Sequence, residues 1–214
     1  MKGVVTIFHD IVGVLLAGGE SRRFGKPKAF ALFKEKDFWE HSLDAMREST
    51  DQQIIISQPD LVIRFKGNTF CQVIEDDDIV MGKGPLAGIY TAIKHTRAKW
   101  YVVISCDVPL ITRQTIQSLL NLRNDQVQAI IPQIKGKLHP LIGIYHYTVL
   151  DKIEQQLRDG DYRVITLLEK ITVCYASEND LNVDVKSFSN INSQEDYTEL
   201  LTNGKISETN DNSK

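Results

Sequence analysis

Short runs rich in valine and isoleucine alternate along this chain with longer amphipathic stretches, and no other feature narrows its fold as much. The runs at 12–16, 53–57, 71–75, 100–105, 128–132, 141–145 and 171–175 have the length and composition of β-strands. Between them, 38–48, 85–96, 112–122, 147–158 and 163–169 carry helical spacing. A closing helix over 193–202 opens on Ser193, with Glu195 and Asp196 in its first turn. Strand and helix in repeated alternation predict an α/β fold: three layers, Rossmann-like, with a mostly parallel central sheet and helices on both faces. The segment YVVIS at 101–105 is apolar at nearly every position, as a strand buried on both faces must be.

Such a sheet tells the reader where to look for chemistry. Ligands sit beyond the carboxyl ends of the central strands, near the point where strand order reverses. The segments that follow 12–16 and 101–105 are therefore the first candidates.

After 12–16 comes LAGGESRRFGKPK, residues 16–28. Gly18 and Gly19 lack Cβ atoms, so the backbone there can turn sharply and bring its N–H groups against phosphate oxygens. Arg22, Arg23, Lys26 and Lys28 then concentrate positive charge in a chain whose formal net charge is −3, a local excess suited to a triphosphate. A solvated basic turn is the plainer alternative, but it does not account for glycines set directly behind a buried strand. The loop lacks the G-K-[ST] ending of a Walker A motif and the G-x-G-x-x-G spacing of dinucleotide folds, which disfavours a P-loop NTPase and a dehydrogenase.

After 101–105 comes Cys106-Asp107-Val108-Pro109, where the proline ends the strand and leaves Asp107 at its carboxyl edge. Mg2+ needs only one or two carboxylates beside phosphate oxygens and water, so a single aspartate here is a sufficient metal ligand. A turn or helix cap is the alternative for an Asp-x-Pro taken alone. Residues 75–78, Glu-Asp-Asp-Asp, close another strand, and Asp76 could accept hydrogen bonds from a base or a ribose while its neighbours form a solvated turn. The stretch Gly82-Lys83-Gly84-Pro85 opens a helix and offers a second anion site, although Pro85 equally fits an ordinary first helical residue.

No linker or repeat interrupts the chain, so 214 residues read as a single domain over 12–202, with an N-terminal extension at 1–11 and a disordered tail at 203–214 that is too polar to bury surface. The mild acidity gives no electrostatic reason to bind nucleic acid or an anionic membrane. No apolar stretch approaches the roughly 20 residues that span a bilayer, and the N-terminus lacks a secretion signal, so a cytoplasmic protein is expected. Cys71, Cys106 and Cys174 are far apart and form no C-x-x-C pair; they read as buried thiols.

Taken together, LAGGESRRFGKPK, VIEDDD followed by GKGPLAGI, ISCDVPL and FSNINSQEDY resemble the molybdenum cofactor guanylyltransferases, in order and at suitable separations from about residue 12 to 200. The resemblance implies a Mg2+-dependent nucleotidyltransferase that joins GMP from GTP to molybdopterin and releases pyrophosphate. Carried over by position, it implies GTP contacts from Leu16, Ala17, Gly18, Gly19, Lys28 and Asp76, with Asp107 touching both nucleotide and Mg2+. Lys28, Asp107 and Arg23 become the residues of the reaction centre. Asn190 and Asn192 are placed on the pterin side. His139 matches a His-Pro of the family, or is a simple strand lead-in; Arg163 meets the molybdopterin phosphate, or is a surface residue. Ser57-Gln58-Pro59 departs from the asparagine that family members often carry after the second strand. The partners implied are GTP and molybdopterin, with molybdoenzyme-specific chaperones or other molybdenum cofactor proteins as further candidates. Two alternatives stay open: a cytidylyltransferase or sugar-phosphate nucleotidyltransferase of the same fold, and a non-catalytic nucleotide-binding adaptor for molybdoenzyme maturation.

Overall fold

The computed structural model describes residues 9–19, 24–69, 71–76 and 82–211, with side chains to residue 204. Its strands in chain order are β1 (His9–Leu16), β2 (Leu32–Phe33), β3 (Lys36–Asp37), β4 (Gln52–Ser57), β5 (Gln72–Glu75), β6 (Ala98–Ser105), β7 (Ala129–Ile134), β8 (Lys137–Leu138), β9 (Ile142–His146) and β10 (Val173–Ala176). The helices are α1 (Phe38–Met46), α2 (Pro59–Lys66), α3 (Pro85–His95), α4 (Arg113–Leu120), α5 (Leu150–Arg158), α6 (Val164–Leu168), α7 (Glu178–Leu181) and α8 (Gln194–Asp211). The main sheet runs β10-β7-β9-β6-β1-β4-β5, with β8 paired to β7. Along this path only β9 is antiparallel to its neighbours β6 and β7; the other pairs are parallel.

Helices cover both faces, which is why the central strands are apolar throughout. On β6, Trp100, Val102 and Ile104 enter one core with Leu43 and Met46 of α1 and Ile116 and Leu119 of α4. Tyr101 and Val103 enter the other, with Leu86, Ile89 and Ile93 of α3 and Ile153 and Leu157 of α5. A smaller cluster stands apart from the sheet: Phe24, Ala31, Phe33, Phe38, Ile191 and Leu200.

Local signals set the helix starts. A capping box joins Asp37 and Glu40 at α1, and the Thr112 hydroxyl accepts the Thr115 N–H at α4. Proline occupies the first turn of both α2 and α3, where its missing N–H costs nothing.

The ends of the chain differ from expectation. β1 begins at His9, inside the presumed 1–11 extension, because His9 and Ile11 pair with Ala98 and Trp100 and the Asp51 carboxylate accepts the Asp10 and Ile11 N–H groups at 2.8 and 3.0 Å. Residues 1–8 lie outside the described residues. At the other end, residues 203–211 continue α8 where a disordered tail was expected, since a capped helix extends at little cost per residue once nucleated. The three cysteines are free and half-buried, not buried.

Candidate active site

The strand order reverses at β1, whose neighbours β4 and β6 are reached by crossovers in opposite directions. Leu16 is in register with Ile56 on one side and Ser105 on the other, so three loops leave the sheet side by side at its carboxyl edge. Backbone bonds join them: Ala17 N–H donates to Ile56 O at 2.8 Å and Cys106 N–H to Leu16 O at 3.1 Å. Between these loops and the start of α3 lies a cleft of about 390 Å3. Leu16, Gly18, Gly19, Lys28, Asp76 and Asp107 all line it.

Lys28 Nζ donates to Asp107 Oδ2 at 3.1 Å, although the two residues are 79 positions apart. Their side chains are only 14% and 15% exposed, so the pair is held within the protein instead of loosely in solvent. The other carboxylate oxygen of Asp107 accepts the Ser105 hydroxyl at 2.6 Å and the Asn190 amide at 3.2 Å. Lys28 also donates to Asn192 Oδ1 at 3.0 Å, and Ile191 N–H to the Asp107 carbonyl at 2.8 Å. A segment more than 80 residues downstream thus completes the setting of both charges.

Across the cleft, Asp76 is 7% exposed, and its Oδ1 is buried with no hydrogen-bond partner among the described residues. Burial pushes its carboxyl up to about 6, against the pull of an N–H from Gly82. Gly84, at φ 80° and ψ −170°, makes a turn that suits only glycine and starts α3. A Cβ at Gly88 would stand 2.8 Å from Leu16 Cδ2, so glycine there lets α3 approach β1. Gln58, which opens α2, sends its side-chain amide to the Gly18 carbonyl. Sequence reasoning left Gln58 unassigned beyond its departure from the family's asparagine.

Other expected residues lie further off or elsewhere. Arg23 falls outside the described residues, as do Asp77 and Asp78. His139 is buried, its ring 5.4 Å from Phe188, and burial holds its imidazole below the usual histidine range. Arg163 is exposed and makes paired bonds to Asp161 at 3.0 and 2.8 Å. Lys83 lies over the Tyr162 ring, 5.3 Å from its centroid. The Cys106 thiol is pushed up to about 12, first by burial and then by Asp107, so it stays neutral. Among the described residues, no helix is long and apolar enough to cross a membrane.

A mostly parallel sheet with a glycine-rich loop, a lysine–aspartate pair and a second carboxylate around one cleft belongs to the nucleotidyltransferases, and residues 13–173 match the MobA-like NTP transferase domain. A probable molybdenum cofactor guanylyltransferase of Bacillus velezensis is 41% identical over 190 residues, covering 89% of this chain and 94% of the relative. One of Halalkalibacterium halodurans is 40% identical over 192 residues, covering 89% and 97%. The chain belongs to this molybdenum cofactor guanylyltransferase family. The solved structure of molybdopterin-guanine dinucleotide biosynthesis protein A from Archaeoglobus fulgidus shares the fold, with a TM-score of 0.77 at 22% identity over 89% of this chain and 97% of that one.

Proposed function

We propose that this chain transfers the guanylyl group of GTP to the terminal phosphate of molybdopterin. An acceptor phosphate oxygen bonds to the α-phosphorus of GTP, and the bond from that phosphorus to the bridging oxygen breaks, releasing pyrophosphate. The observation that carries this reading is the meeting of Lys28 and Asp107 at 3.1 Å on the wall of the cleft.

The acceptor is already an anion, so no nucleophilic side chain has to be activated, and the neutral Cys106 thiol has no part. The protein must place the acceptor in line with the leaving group and neutralise charge as it builds. Lys28 and the amides of the Gly18–Gly19 turn suit the β- and γ-phosphates, with Arg23 as a further cation. Asp76, with one oxygen lacking a partner among the described residues, suits the donors of the base or ribose. Asn192 accepts from Lys28 and Asn190 donates to Asp107, which supports reading them as neighbours of the entering acceptor.

Asp107 fits a divalent cation. Among the described residues, no group of three or more His, Cys, Asp or Glu side chains could hold a metal. A cation here would share Asp107 with nucleotide oxygens, as Mg2+ commonly combines one or two carboxylates with phosphate oxygens and water. When bound, Mg2+ supplies positive charge to the phosphoryl oxygens.

The test is pyrophosphate release from GTP and from CTP, each with molybdopterin and Mg2+, by the wild-type protein and by Asp107→Ala. Release from GTP alone, lost in the variant, is expected. Preference for CTP would reassign the nucleotide, and an undiminished variant would remove Asp107 from the reaction.

A further inference from the structure

The first turn of α8 and the residues just before it touch alternate residues of the strip that ends in Lys28. The exposed Gln194 donates its side-chain amide to the Phe24 carbonyl. The Phe24 ring is wholly buried and meets the Tyr197 ring edge-on at 5.4 Å. Lys26 Nζ lies over that same tyrosine, 5.7 Å from its centroid. Lys28 Nζ reaches Asn192. Residues 24, 26 and 28 are thus each held by one short stretch, 192–197. That stretch is also tied together internally: the Asp196 carboxylate accepts the N–H groups of Asn192 and Ser193 at 2.7 and 2.9 Å. Tyr197, in turn, donates its hydroxyl to the Leu32 carbonyl at 2.7 Å.

We infer that the start of α8 is the template on which residues 24–28 take their shape, and that Gln194 is a positioning residue for Lys28. Gln194 does not line the cleft, so it acts on the nucleotide only through the backbone it holds at Phe24. The contact spans 170 positions of sequence, which makes the end of the chain part of the nucleotide site. The consequence for the nucleotide rests on the proposed function; the consequence for the loop does not.

Two measurements separate them. In protein without ligand, Gln194→Met keeps the side-chain length but lacks a donor, and amide hydrogen exchange across residues 24–28 should quicken several-fold while the exchange of α8 is unchanged. Gln194→Lys, which restores a donor, should return it toward wild type. With GTP, loss of one hydrogen bond should raise KM roughly three- to tenfold with kcat and Tm nearly unchanged. Unchanged exchange at 24–28 in Gln194→Met overturns the inference, as does a lowered Tm with unchanged KM, which is the mark of a purely structural residue. A wild-type protein that shows normal loop protection yet no reaction with GTP would sink the proposed function and leave the positioning role standing.

Discussion

Asp76→Asn should make the protein more stable and worse at holding its nucleotide. The folded protein lifts this carboxyl from 3.8 to about 6, chiefly by burial. At about 1.4 kcal/mol per unit, ionised Asp76 costs the folded state up to about 3 kcal/mol. The sign follows from linkage. The folded state holds this proton more tightly than the unfolded state, so the stabilisation is complete below 3.8 and is lost as pH rises through about 6. Asparagine removes the titration but brings an amide into a place where one oxygen lacks a partner among the described residues, so roughly half the ceiling is the better expectation. For a domain of this size, about 1.5 kcal/mol raises Tm by about 3–6 °C at pH 8. At pH 4, where little of the titration penalty remains, the pH-independent cost of the amide should leave the variant about 1 kcal/mol less stable than wild type. Thermal melts of both proteins at the two pH values measure it, and a difference that is the same at pH 4 and pH 8 would refute the argument. The same pair tests the site: loss of a charged acceptor should weaken GTP binding by about tenfold or more at pH 8. The wild-type advantage should fade as pH falls through about 6, and taking the ratio between the two proteins cancels the titration of the nucleotide itself.

Two further outcomes bear on the reaction. Lys28→Ala removes a charged donor to phosphate and should raise the Kd for GTP by about 10- to 100-fold, read by calorimetry; an unchanged affinity would mean that the loop is misassigned. Cys106→Ala should keep at least half of wild-type turnover in the pyrophosphate assay, because a thiol raised to about 12 supplies no thiolate at working pH, and a loss above tenfold would point to a covalent step.

What could be read in the sequence followed from burial on two faces. Residues 100–105 of β6 and 12–16 of β1 announce themselves because every position is buried, whereas the polar side chains of His9 and Asp10 hide the start of β1. α2 escaped notice because its apolar face is short, Leu61, Val62 and Phe65, and Ile63, which is 83% exposed, spoils the spacing. Lys28 and Asp107 were legible as strand-end residues of suitable chemistry, but nothing in their own segments revealed Asn190, Asn192 or Gln194 as their support; those contacts depend on where the last helix docks. Asp76 looked like one carboxylate among four, and only the packing of α3 through Gly88 buries it and sets it apart.

Overall acidity misleads for the same reason. Lys28 donates to Asp107 and Asn192, and Asp107 also accepts from Asn190, so these two charges of the cleft already have partners among the described residues. A triphosphate that takes Lys28 as its partner must first draw it from Asp107 and Asn192. The affinity of the site is then a difference between two sets of partners of similar strength, and it should depend on how well the segment 190–197 holds its own shape when Lys28 leaves. On the proposed function, a chain with a net charge of −3 would bind a polyanion partly through positive charge held in the Lys28–Asp107 pair, which the ligand would have to open.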